Sequence, residues 1–297
     1  MRENRTPFYI VQRRWAGFLF FLPALAFMIV FLVGPMIVAL GISFTKYTIL
    51  QPPTFNGIAN YVRILRFPSF GNSLLITGKY VFVRVAVVLL IGLLTSLVLN
   101  QRIPFYKTFQ SIYFLPYVFP LAVTSVVWKV IFRPYSLMDQ LTTLLAIRPV
   151  PWLSSGGYAL WSIAIATVWS GVGYYAILLL SGLQTISDEV VEAAFVDGAN
   201  WWQRLLKIIL PLLRPTLLYV TIVAVIGSIQ GFAPFLIMTD GGPGESTRVV
   251  GLLIYQHGFI QLSMGFASAM SMIVLLIILA LTVFQMRLLH YGGDGKQ

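Results

Sequence analysis

Apolar residues along this chain fall into long blocks, with neither the strict alternation of a half-buried strand nor the narrow stripe of a surface helix. Six blocks, at about 16–40, 74–99, 109–131, 158–180, 216–238 and 266–288, are each long enough for a helix to cross a hydrocarbon layer of roughly 30 Å, which takes about 20 residues. The pattern predicts an all-α polytopic membrane protein. Residues 16–288 would form a domain of six transmembrane helices, between a short N-terminal segment at 1–15 and a tail at 289–297. Arg13 and Arg14 precede the first block in the manner of a secretory signal. The block is too long for a signal core and no small-residue cleavage site follows it, so a retained first span is expected.

The polar connections differ in kind. Residues 43–72, with Pro52-Pro53 and Asn56-Gly57, are expected to form a compact outer loop. A second outer connection at 133–157 is punctuated by Pro134, Pro149, Pro151 and Gly156-Gly157, and a short inner turn at 101–108 joins the second and third blocks. About 35 residues separate the fourth block from the fifth, and a connection of that length without a structural task is uncommon.

Composition supports lipid as the solvent: the 297 residues are 58% hydrophobic and only 10% charged, where a soluble domain carries about a quarter charged residues. The net charge of +11 invites a nucleic-acid reading, which the distribution of charge opposes. With the N-terminus inside, Arg2, Arg5, Arg13, Arg14, Arg102, Lys107, Arg204, Lys207, Arg214, Arg287 and Lys296 fall on inner segments. Fewer fall outside: Lys46, Arg63, Arg66, Arg133, Arg148 and Arg248. This is the positive-inside bias with both termini cytoplasmic, so the basic residues report topology and no nucleic acid is expected as a partner. There is no cysteine, and His257 and His290 lie far apart, which excludes thiolate chemistry and argues against a His-based metal centre.

The long inner connection, 187–211, has its own helical pattern. Ser187 is placed to cap a helix whose first turn carries Asp188 and Glu189, where the helix dipole favours negative charge. Val191, Ala194 and Phe195 share one face. Gly198 suits the left-handed conformation that ends a helix. After it Trp201, Trp202, Leu205, Ile208 and Ile209 form a second amphipathic piece, stopped by Pro211 and Pro215. A short helix, a bend and a second helix along the inner face are expected.

Glu192-Ala193-Ala194, then Gly198, Ile208, Leu210 and Pro211 at fixed offsets resemble the EAA motif of ABC importer permeases. Softer likenesses extend over nearly the whole chain: Gly57 to Leu65, Phe114 to Pro120 with Val127-Trp128-Lys129, and Thr239 to Phe259 with its Gly241-Gly242-Pro243 turn. Together they are similar to the first permease type of the maltose and glycerol-phosphate systems, without the large outer domain of the maltose permease. The resemblance implies the type I ABC importer permease fold in a bacterial or archaeal cytoplasmic membrane. It implies a second permease subunit, two copies of an ATPase subunit holding ATP and Mg, and an extracytoplasmic sugar-binding protein as partners, with no cofactor bound by this chain. In the family the segment carrying Glu192, Ala193, Ala194, Asp197, Gly198, Ile208, Leu210 and Pro211 docks into a cleft on the ATPase.

Polar and aromatic side chains within a span face the bundle interior, since lipid exposure costs them dearly. The fourth block offers Thr167, Trp169, Ser170, Gly171, Gly173, Tyr174 and Tyr175, apt for a sugar through hydroxyls and ring faces. Small residues there also serve close helix packing. The resemblance places the translocation path on Thr167, Ser170, Gly171 and Tyr174, beside which Trp169 is a further candidate, and in the next block near Ser228, with neighbouring Gln230. Ala224 and Gly231 depart there from the polar side chains of the maltose system. Arg84 lies within the second block with no assigned partner, while Lys79 and Lys129 are expected to reach the outer headgroups.

A secondary transporter would need carboxylates in the membrane or broken, repeated helices, and none of the 9 acidic residues falls in a predicted span. A membrane enzyme would need a clustered acid, base or metal constellation. The C-terminal GGDGK lacks the spacing and context of a phosphate-binding loop, so ATP hydrolysis is expected in a partner.

Overall fold

A computed structural model describes residues 19–101, 104–145 and 150–290. The termini at 1–15 and 291–297, with GGDGK, Arg102, Arg148 and Pro149, lie outside the described residues, as does the side chain of His290. The chain divides into two units, one running to Ile64 and including His257–Ile273, the other comprising Leu65–Gln256 and the residues from Val274 onward.

In the first unit, α1 (Leu19–Ser43) is 25 residues long, and its most apolar stretch has a mean hydropathy of 2.7 with none of it buried, so its favourable surroundings are lipid. Residues 43–72 are more structured than a turn-rich loop. Strands β1 (Thr45–Thr48) and β2 (Gln51–Phe55) pair antiparallel, Thr45 opposite Phe55 and Thr48 opposite Gln51, so the turn falls at Ile49-Leu50. Pro52 and Pro53 sit in β2, where a strand with only one neighbour tolerates residues that cannot donate. Helix α2 (Ala59–Leu65) follows, and its Asn60 Nδ2 donates to the Ser43 and Thr45 carbonyls, both at 2.8 Å. Gly265 packs on the Thr45 carbonyl so closely that a Cβ would overlap it, and Arg63 lies 4.4 Å from the Phe266 ring.

The second unit is built around α3 (Pro68–Asn100) and α7 (Gly156–Leu183). Helix α3 starts at Pro68, ahead of the position expected from hydropathy, because proline is favoured at a first helical position. Gly92 allows contact with α7: a Cβ there would meet the Ala176 nitrogen at 3.4 Å. The block at 109–131 is two helices, α4 (Tyr106–Val118) and α5 (Leu121–Ile131), bent by 92°. Phe119 is extended ahead of Pro120, which disfavours the helical conformation in the residue before it. Helix α6 (Leu137–Leu144) occupies the second outer connection.

The segment 187–211 becomes α8 (Asp188–Val196) and α9 (Trp201–Leu212), and α9 meets α10 (Arg214–Gln230) at 69°. The block at 216–238 breaks at Gly231-Phe232, leaving α11 (Ala233–Thr239) as a separate piece. Lys129 Nζ donates to the Ile237 carbonyl at 2.7 Å, so it ties α5 to the end of α11 rather than reaching for headgroups. Helices α12 (Val250–Ile260) and α13 (Met264–His290) complete the chain. Among the described residues four helices are long and apolar enough to span a membrane, and six spans result if each bent pair counts as one. Tyr80, Phe132, Ile163 and Phe235 stand in one apolar core, with the Tyr80 and Phe235 rings edge to face at 4.8 Å.

Candidate functional site

Two places carry the functional candidates: the paired helices α8 and α9, and the mid-membrane faces of α3, α7 and α10.

At the start of α8 the Ser187 hydroxyl accepts from the Glu189 amide at 3.3 Å, as its position predicts. The helix ends at Gly198 with φ +82°, and the Ala199 amide returns to the Ala194 carbonyl at 2.9 Å. A side chain at Gly198 would meet nothing, so it is the left-handed backbone, and not crowding, that requires glycine. Asn200 and Gln203 then form a reciprocal capping box: the Gln203 amide donates to Asn200 Oδ1 at 2.9 Å and the Asn200 amide to Gln203 Oε1 at 2.8 Å. The middle of α9 widens over Leu205–Ile209 ahead of Pro211, whose ring would press on the carbonyl one turn back in a regular helix. The Arg204 guanidinium lies 5.1 Å from the Phe195 ring and links the two helices.

Val191 and Ala194 are half-buried, while Phe195 turns outward and is 64% exposed. Glu192, Ala193, Asp197 and Pro211 are exposed, and Ile208 and Leu210 half-buried. Val196, 83% exposed, and Trp202, 64% exposed, extend an apolar face beside these carboxylates. Asp188, Val191 and Ile209 share a cleft of about 360 Å³ with Asn100, Gln101 and Gln184, which puts the pair at the C-terminal ends of α3 and α7.

In the middle of α7 the polar residues divide by burial. Thr167 is buried and accepts from the Tyr80 hydroxyl at 2.9 Å, and Ser170 donates to its own helix at Ala166. Ser228 on α10 is buried, donating to the Ala224 carbonyl and accepting from Arg84 Nη1, both at 2.6 Å. Gly171 faces this arginine: a Cβ there would lie 3.1 Å from Nη2. Gly173 presses on the Tyr113 carbonyl of α4, with no room for a side chain. The outward groups are aromatic. Tyr174 stacks on Tyr117 with centroids 4.4 Å apart and planes 9° from parallel, and Trp169, 46% exposed, meets Trp128 edge to face at 5.7 Å. Gln230 is exposed at the end of α10. Among the described residues no group of three or more His, Asp or Glu is placed to hold a metal.

The profile of the family described as "Binding-protein-dependent transport system inner membrane component" matches residues 88–290, a stretch that contains α7 to α12 whole. The chain belongs to this family. The permease is 30% identical over 296 residues to the trehalose/maltose transport system permease protein MalF of Thermococcus litoralis, covering 99% of this chain and 100% of that one. It is 32% identical over 278 residues to the lactose transport system permease protein LacF of Rhizobium radiobacter, with 91% and 92% covered. Among solved structures, a bacterial ABC transporter involved in import of the acidic polysaccharide alginate superposes with a TM-score of 0.81 at 18% identity. That match covers 96% of this chain and 98% of the other and establishes the type I importer permease fold.

In this permease the spacing of Asn200 and Gln203 is that of a capping box, a signal in the sequence that the Gly198 break two residues earlier overshadows. Tyr80, Tyr117 and Trp128 join the α7 cluster from other helices, and no spacing along the chain announces them.

Proposed function

We propose that this chain is the membrane-spanning half-gate of an ABC importer for a carbohydrate. An extracytoplasmic binding protein delivers the sugar, a second permease completes the path, and two ATPase subunits hydrolyse ATP with Mg. Both termini and the α8-α9 pair lie on the cytoplasmic side, in a bacterial or archaeal inner membrane. The observation that carries this reading is the hinged pair itself: two capped helices, joined at a left-handed glycine, leave Glu192, Phe195, Val196 and Trp202 exposed. Such a mixture of apolar area and charge is costly in water and suits a cleft on a soluble subunit. The small Ala193 permits close approach and Glu192 supplies a charge for a basic partner.

The substrate class draws support from the named relatives for trehalose/maltose and lactose, and from ring faces at Trp169 and Tyr174 with the Gln230 amide nearby in sequence to Ser228. Aromatic faces and hydrogen-bonding groups are what a pyranose binds. Replacing Gly198 by tryptophan in the reconstituted complex tests the reading. ATPase-subunit association or transport per ATP should fall at least tenfold while the binding protein's affinity for sugar is unchanged; full assembly and transport would refute it.

A further inference from the structure

Arg84 is the middle residue of α3, about 24 Å from either end of the helix at 1.5 Å per residue. A guanidinium is a cation, and a charge at such depth calls for a compensating anion. What surrounds it is neutral. Nη1 donates to the Ser228 hydroxyl at 2.6 Å, the Tyr175 ring centroid is 5.9 Å away, and the Tyr80 hydroxyl stands beside it. Nε is buried with no acceptor. None of the 9 acidic residues lies in α3, α7 or α10, and the one ion pair among the described residues, Arg248 with Glu245, is elsewhere. Gly171 leaves the space the guanidinium fills against α7.

We propose that Arg84 binds a carboxylate or phosphate group on the transported solute, so that the carbohydrate carried is an acidic one: a uronate-containing sugar or a sugar phosphate. A guanidinium meets such a group with two parallel N–H donors, the anion taking over from Ser228 as its partner. The missing counter-charge then arrives with each solute, which would make a neutral sugar the poorer cargo. The inference rests on α7 and α10 lining the path, as proposed above.

Equilibrium dialysis of radiolabelled glucuronate, glucose 6-phosphate, glucose and inorganic phosphate against the assembled importer in lipid nanodiscs, without binding protein, tests it. Glucuronate or glucose 6-phosphate should bind at least tenfold more tightly than glucose. Arg84→Gln should bring that ratio to within about twofold, and Arg84→Lys should keep part of it. Equal binding of glucose and the acidic sugars by the wild type overturns the proposal, as does a preference that survives Arg84→Gln. Inorganic phosphate binding as tightly as glucose 6-phosphate overturns it in favour of a free-anion site. Loss of permease pairing in both variants, with no preference in the wild type, overturns it in favour of a carboxylate from the second permease. Where a variant fails to assemble, the wild-type ratio decides. ATP-driven uptake of neutral sugars without acid preference ends this inference and leaves the importer reading intact, whereas absence of any ATP-driven carbohydrate uptake ends that reading itself.

Discussion

At the scale of single residues, the fold depends on a few positions where one atom group has no substitute. Thr247 is fully buried in the connection after α11; its hydroxyl donates to the Gly242 carbonyl at 2.8 Å and lies 2.7 Å from the Thr239 hydroxyl. Valine has nearly the same shape and neither bond, leaving a part-buried carbonyl without its threonine partner at a cost of about 1 kcal/mol. Thr247→Val should therefore lower the thermal midpoint of the purified protein by several degrees, read by intrinsic fluorescence, and an unchanged midpoint would show that water satisfies the carbonyl. The Gly-Gly-Pro turn is legible in sequence, but nothing in its spacing marks Thr247 as the residue that closes it. Its role depends on three segments of the connection folding back on one another. Arg84 is the stronger case: sequence marked it as a charge out of place, and its partner Ser228 is 144 positions away.

At the scale of elements, local signals and long-range packing divide the work differently from helix to helix. Helices α8 and α9 were legible because caps, dipole charges and a left-handed glycine act within a few residues of each other. Asn200→Ala removes the half of the capping box in which Oδ1 accepts from the Gln203 amide, and should cost α9 about 1 kcal/mol. Hydrogen exchange over Trp201–Leu212 should quicken about fivefold, with α7 unaffected. Identical exchange in the variant would mean that packing, not the cap, holds α9. The blocks at 109–131 and 216–238 read as continuous because hydropathy counts apolar side chains and ignores backbone donors. Pro120 and Gly231 interrupt the backbone while leaving the apolar run intact. The detached α11 then receives Lys129 at its terminal carbonyls, a favourable place for a cation.

At the scale of the whole molecule, the proposed half-gate draws its energy from a partner. Purified alone in nanodiscs it should hydrolyse no ATP; hydrolysis should appear with the ATPase and second permease and rise several-fold with sugar-loaded binding protein, measured as phosphate release. Hydrolysis by the isolated chain would contradict the assignment. The sequence by itself determined the membrane class, the blocks that become helices and the hinged pair at 187–211, because hydropathy and capping are summed over neighbours along the chain. Only the tertiary structure decided which polar groups of α7 and α10 are spent inside the fold and which face outward. Thr167, Ser170 and Ser228 are satisfied by Tyr80, Arg84 and their own helices, while Trp169 and Tyr174 remain half-exposed. Buried hydrogen bonds are closed by whichever helix lies opposite, and periodicity within one helix carries no record of its neighbour.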